Sequence, residues 1–371
     1  MMKKLFAALV IVCLSAAACC ADDTADLART GTVEEVKAAI AAGTFVVNPQ
    51  KGTSPLVYAI TWDNAPVVEF LLSAGADVNY GNSEALLEAA SSSTDAKLVN
   101  KLLAAGAKVD ARNKDERTAL HQVVRYKCST EVIDALLAAG ADINAKDKYG
   151  TTPLMLALEN ENEEAFAAAR HLAAKGADLN ALDKYGGNLL DHARDHERVA
   201  WLLAQGVNPV VDNSGVTAVM NCIDDAESVK LLLDAGVDAN AATEKGETAL
   251  MFAAGHRSLN AAKLLLERGA NVNAASKKGW TPLIYAARTS SADMLKLFIA
   301  AGANVNAKDA AGWTALTHAA AIGTNWYFEP LLKAGATVQA AFEGAKERQS
   351  GSSVASYMRE AVEKMAAELK K

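Results

Sequence analysis

Gly279-Trp280-Thr281-Pro282-Leu283 opens a stretch that closes on Asn304-Val305-Asn306. The same opening stands at Gly52-Thr53-Ser54-Pro55-Leu56 and at Gly150-Thr151-Thr152-Pro153-Leu154. Copies with Ala for Pro stand at Gly246-Glu247-Thr248-Ala249-Leu250, Gly312-Trp313-Thr314-Ala315-Leu316 and Arg117-Thr118-Ala119-Leu120-His121. The closing motif, Gly-Ala-Asp-Val-Asn with variants, ends at Asn48, Asn79, Asp110, Asn144, Asn180, Val210, Asn240, Asn273, Asn306 and Gln339, at spacings of 30 to 36 residues. Two motifs that stay in phase along the chain mark an internal repeat whose units bury their apolar faces on one another.

Each motif has a physical task. Thr281 accepts a backbone N–H as helix N-cap, and Pro282 starts the helix where no N–H is needed. Leu283, Ala286 and Ala287 then face the next unit, where small residues let helices approach closely. A second helix is apolar at Leu264-Leu265-Leu266 and stops at Gly269, which takes the left-handed conformation. The stretch from Asn273 to Gly279 is a projecting turn. Asp147, Asp183 and Asp309 start such turns, where Asp bonds its own backbone.

The pattern resembles the ankyrin repeat, a unit of about 33 residues with a T-P-L-H-x-A signature. The resemblance covers nearly everything from about Asp22 to the C-terminal tail. It implies an all-α ankyrin-repeat solenoid of about ten helix-turn-helix units with projecting turns. Some units depart from the pattern. Asn82 and Glu116 replace the turn glycine, and Gly206 to Pro209 replaces the usual ending. Pro330 should shorten or kink the second helix of its unit. The run Glu159-Asn160-Glu161-Asn162-Glu163-Glu164 reads as a solvated turn. Val354, Met358, Ala361, Met365 and Leu369 recur at helical spacing, so the tail reads as a helix covering the last unit. The expected organisation is an export signal over residues 1–21, the array over 22–341 and a C-terminal capping helix over 342–371.

Composition agrees with a folded helical chain. Hydrophobic residues make up 51% and charged residues 22%, and aromatics are only 6%. The formal net charge of -7 makes a poor surface for a phosphate backbone, so nucleic acid is not an expected partner. Lys3 and Lys4, the apolar run Leu5 to Leu14 and the small residues Ala16 to Ala18 form the three parts of a secretory signal. The run is short for a membrane span, and none is expected in the mature chain. Cleavage after Ala18 or Ala21 gives a soluble exported protein, periplasmic or secreted and of bacterial type. A second reading ends the signal at a lipidated Cys19. Cys128 and Cys222 should be free thiols, since three repeats separate them.

No phosphate-cradling glycine loop and no G-x-S-x-G elbow occurs, and His196-Glu197-Arg198-Val199-Ala200 only begins like a zinc-protease helix. The chain is therefore expected not to be an enzyme and to need no cofactor. His192 and His196 have metal-ligand spacing if one helix carries both. They support an alternative reading, a periplasmic small-molecule or metal-binding protein. His121 holds the signature position of its repeat and should be structural, whereas His171, His256 and His318 have no partner near in sequence.

The resemblance also implies a function. In ankyrin arrays the turns and first helices form a concave face, and certain positions there are free of structural duty. In this sequence they hold Trp62, Arg125, Tyr126, Tyr149, Tyr185, Lys277, Lys278, Trp280, Arg288 and Trp313. Trp, Tyr and Arg are the residues that dominate binding hot spots. The expected protein is a monomeric scaffold that binds another protein on this face. Trp280 and Trp313, one repeat apart, should be partly exposed and dispensable for folding.

Overall fold

The computed structural model describes residues 21–209, 216–321, 328–337 and 367. Nearly all of the expected export signal lies outside the described residues. So do Val210, Gln339 and, apart from Ala367, the expected capping helix. Among the described residues there is no strand, only an isolated bridge between Ala242 and Thr248. No described helix is long and apolar enough to cross a membrane.

The helices fall into two compact units. Among the described residues, one holds 21–148, 152–157 and 162–177, and the other holds 149–151, 158–161 and those from 178 onward. In the first unit lie α1 (Ala21–Thr30), α2 (Val33–Ala41), α3 (Pro55–Thr61), α4 (Ala65–Ser73), α5 (Tyr80–Ser92), α6 (Ala96–Ala104), α7 (Ala119–Tyr126) and α8 (Thr130–Ala138), then most of α9 (Pro153–Glu159), then α10 (Glu163–Ala174). Helices α1, α3, α5 and α7 pack each on the next, α2 packs on α4, α6 packs on α8, and α10 packs on α7 and α8.

The second unit repeats the arrangement. It holds α11 (Leu189–His192), α12 (His196–Ala204), α13 (Ala218–Asn221), α14 (Ala226–Asp234), α15 (Ala249–His256), α16 (Leu259–Glu267), α17 (Pro282–Arg288), α18 (Ala292–Ala300), α19 (Ala315–Ala321) and α20 (Phe328–Lys333). The odd-numbered helices form one row and the even-numbered helices the other.

The local chemistry is the one the motifs call for. The Thr281 hydroxyl accepts the Ile284 N–H at 3.3 Å and Pro282 takes the first helical position. Such a cap stabilises a helix by about 1 kcal/mol. At Thr118 the cap is completed by His121, whose Nδ1 accepts the Thr118 N–H at 3.2 Å, so His121 is structural. Leu283, Ala286 and Ala287 are buried, and so is Leu265. Alanines at the row interface let adjacent helices approach closely, which suits a core poor in aromatics. Gly269 ends α16 with φ +82°, and Ala270 N donates to Leu265 O at 2.9 Å. A β-carbon would make that left-handed bend costly.

The closing asparagine ties one helix pair to the next. Asn273 Nδ2 donates to Gly302 O at 3.1 Å while its Oδ1 accepts the Asn304 N–H at 2.7 Å. Asn48, Asn79, Asn240 and Asn306 repeat this two-point bridge. Asp110 has no amide to donate, and its Oδ1 accepts the Asp142 N–H at a longer 3.4 Å.

Four local expectations need correction or refinement. The Asn82 region forms no projecting turn, because α5 starts at Tyr80 and runs for 13 residues. Glu116 does stand in for the turn glycine, at φ +60°, a conformation that a side chain disfavours. Pro330 stands inside α20, described over Phe328–Lys333, and its carbonyl still accepts the Ala334 N–H at 3.1 Å. The acidic run after α9 is not simply solvated. Asn162 caps α10 through the Ala165 N–H. Within the second unit, Glu159 pairs with His192 and Asn160 O accepts from the buried Arg198.

Candidate partner-binding surface

The projecting turns are held by their first residue. Asp309 Oδ1 accepts the N–H groups of Ala311 at 2.8 Å and Trp313 at 2.9 Å. Gly312 N donates to Asp309 O at 2.9 Å, with Gly312 at φ +77°. Asp183 holds its turn in the same way, through Tyr185 and Gly187. Neighbouring turns are joined by backbone bonds. Lys277 N donates to Lys245 O and Ala310 N to Lys278 O, both at 2.8 Å. They stack so closely that a β-carbon at Gly279 would sit 2.8 Å from Asp309 Cα. The side chains of the tips are therefore displayed by a fixed backbone.

In the second unit the other oxygen of Asp309 organises a cluster. Asp309 Oδ2 lies 2.8 Å from His318 Nε2 and accepts from Trp280 Nε1 at 3.2 Å. Both Asp309 and His318 are buried. Burial pushes the Asp309 carboxyl up. The Trp313 N–H, His318 and the Ala311 N–H outweigh it, so the net shift is downward from the ordinary range. The Trp280 ring meets Tyr285 edge-on at 5.3 Å and His318 at 5.9 Å, and the Arg288 guanidinium lies 4.3 Å over it. Trp313 meets His318 at 5.2 Å. The Tyr285 hydroxyl donates to Glu247 at 2.6 Å, and burial followed by that carboxylate pushes the phenol upward.

Lys277, Lys278, Trp280, Arg288 and Trp313 thus come together along two turns and the ends of α17 and α19. Neither tryptophan is fully buried. Trp280 nevertheless has structural contacts. Its hydrogen bond and ring contacts join two successive helix pairs, so it serves the fold as well as the surface. Tyr149 and Tyr185 sit on adjoining turns, joined by the bond from Lys184 N to Tyr149 O at 2.8 Å, and are 42% and 62% exposed.

In the first unit Trp62 caps the end of α3. It is 53% exposed and carries the Arg29 guanidinium 4.0 Å over its ring. Arg125 and Tyr126 end α7, with Tyr126 55% exposed and the Arg125 guanidinium 5.6 Å from its ring. Tyr126 and Lys127 border an open groove of roughly 1040 Å³ and mixed lining, with Asp63, Ser92 and Lys97 beside Ile60, Val68 and Leu98.

The His192/His196 pairing does not form. Helix α11 ends at His192, Ala193 is extended at ψ 135°, and His196 begins α12. Both His192 nitrogens are already engaged, Nδ1 with Glu159 at 2.7 Å and Nε2 with Asp183 at 3.2 Å, while His196 Nδ1 faces Asp225 at 3.2 Å. Among the described residues no group of three or more His, Cys, Asp and Glu is placed to hold a metal ion. His171, His256 and His318 each have a carboxylate partner, Asp134, Asp224 and Asp309. Cys128 and Cys222 are buried free thiols, both pushed up by burial, Cys222 to about 12.

The Asp–His contact escaped sequence reasoning. Its signal was a histidine nine residues after a turn aspartate, present both at Asp183/His192 and at Asp309/His318.

The comparisons with known proteins agree with this architecture. A family profile described as Ankyrin repeats (3 copies) matches residues 86–183, 189–276 and 271–341, and a profile described as Ankyrin repeat matches residues 51–83. No curated protein matches the chain.

Proposed function

The chain belongs to the ankyrin repeat family, and from that premise we propose that it is an exported, non-catalytic scaffold that binds another protein. Ankyrin repeats point to protein–protein interaction in general. The observation that carries the finer reading is the set of exposed aromatic and cationic side chains at turn tips and first-helix ends. Trp62, Tyr126, Tyr149 and Tyr185 are large rings left in solvent by well-packed repeats. Arg125, Lys277, Lys278 and Arg288 are exposed in equivalent places. Trp280 and Trp313 add half-buried rings. A rigid backbone that presents aromatics and arginines has little entropy left to lose on binding.

On this reading residues 1–21 direct export to the periplasm or beyond in a bacterium, with a lipidated Cys19 as the other processing outcome. About ten units span 22–341, and the 342–371 helix covers the last of them, because an uncapped terminal repeat exposes its apolar side. The working form is a monomer. Affinity capture from an envelope extract with the tagged mature chain tests the reading. A protein retained in stoichiometric amount, and released when the array is unfolded by urea, is the expected result. Retention of nothing beyond an untagged control would remove the scaffold reading. Mass spectrometry of the mature protein reads the processing: loss of residues up to Ala18 or Ala21 is expected, and an intact N-terminus would overturn export.

A further inference from the structure

Four cations crowd the turns at residues 243–247 and 276–280 and the end of α17. Lys245, Lys277, Lys278 and Arg288 are all exposed, and none forms an ion pair among the described residues. The nearby acids are already engaged. Glu247 accepts from the Tyr285 hydroxyl, and Asp309 is occupied by His318, Trp280 and two backbone N–H groups. The exposed Glu244 and the engaged carboxylates of Glu247 and Asp309 offset part of this charge but not all of it. The patch is thus positive on a chain whose formal charge is -7.

Its key cation is preorganised. The Arg288 guanidinium lies 4.3 Å over Trp280, and that ring is fixed by its bond to Asp309 and by its contacts with Tyr285 and His318. A guanidinium stacked on a fixed ring keeps its planar fork of donors aimed outward, the geometry that takes a carboxylate through two bonds. Lys278 stands 5.6 Å from the same ring, and the Lys277–Lys245 backbone bond fixes the adjoining tip beside it.

Building on the scaffold reading, we propose that this patch recognises an acidic segment of the partner protein, with one carboxylate on Arg288 and others along Lys278, Lys277 and Lys245. A short acidic peptide meets only the patch. The -7 formal charge of the whole chain disfavours a long phosphate or sulfate polyanion, which would extend beyond the patch.

The test uses the full chain and fluorescence polarisation of a short fluorescein-labelled Glu/Tyr peptide, beside its Gln/Tyr counterpart. The acidic peptide should bind at least about tenfold tighter than the neutral one, and more weakly as salt rises. Arg288→Gln should weaken it about tenfold. The double change Lys277→Gln/Lys278→Gln, which leaves the Trp280 contacts with Arg288, Tyr285 and His318 in place, should do the same. Lys263→Gln, at an exposed position on α16, should not. Equal binding of the two peptides, or unchanged binding by both patch variants with unchanged melting, would overturn the proposal. So would displacement of the peptide by heparin or by phosphatidylglycerol vesicles at lower concentration than by unlabelled peptide. The scaffold reading fails separately, if envelope extract yields no partner. A captured partner that binds the double variant as well as the wild type would sink the acidic-segment proposal and leave the scaffold standing.

Discussion

Replacing Asn273 by Ala removes both arms of one inter-repeat bridge, the 3.1 Å bond to Gly302 O and the 2.7 Å bond from the Asn304 N–H. A protein hydrogen bond contributes about 0.5–1.5 kcal/mol net. These bonds are solvent-exposed, so water partly replaces them and the sum should be about 1–2 kcal/mol. Asn273→Asp keeps the acceptor, loses the donor and should cost about half as much. The converse change at Asp110 adds an amide opposite Gly140 O and should gain about 0.5–1 kcal/mol. Array unfolding need not be all-or-none, so urea melts should be paired with amide exchange, in which the Asn304 N–H loses protection in Asn273→Ala. An Asn273→Ala melt unchanged within error, with the Asn304 amide as protected as before, would refute the claim that these asparagines couple successive helix pairs.

Other consequences follow from burial and charge. Leu265, fully buried in α16, should cost about 2–5 kcal/mol on replacement by Ala; a change under about half a kcal/mol in a urea melt would mean the helix faces the other way. The Asp309 carboxyl titrates below its ordinary value, so its stabilisation is present above about pH 4 and is lost as pH falls through its folded value. Asp309→Asn should therefore melt well below wild type at neutral pH and converge with it in acid; a constant gap across that range would contradict the assignment. Burial raises both thiols, so Cys128 and Cys222 should ignore a thiol reagent in the folded chain and react once urea unfolds it. Prompt reaction of either in native buffer would show that it is exposed.

The fold was legible because it rests on short-range chemistry repeated many times. A Thr-Pro cap and a glycine stop act within a few residues, so the motif at Thr281 and Gly269 specified its own geometry. Long-range pairings were less visible. Nothing within a few residues of Trp280 announces Asp309 or His318, so a ring read as free surface turned out to bridge two helix pairs. Helix ends caused the other errors. The i, i+4 spacing of His192 and His196 presumes one continuous helix, and the chain breaks it at Ala193. At Tyr80 the reverse happened, and helix replaced an expected turn. The acidic run at Glu159 read as solvent-facing because its partners, His192 and Arg198, lie more than thirty residues onward.

On the proposed reading, the exposed turn-tip and helix-end side chains, Trp280 apart, bind a protein partner without holding the array together. Trp62, Tyr126 and Tyr185 test it most cleanly, since each is more than half exposed. The decisive measurement is calorimetric titration of the captured partner into the wild-type chain and into the triple variant Trp62→Ala/Tyr126→Ala/Tyr185→Ala. The expected affinity for the triple variant is at least about tenfold weaker, the loss of ~1.4 kcal/mol or more that follows removal of hot-spot rings, with the melting curve nearly unmoved. Unchanged affinity in a variant that melts like wild type would contradict it.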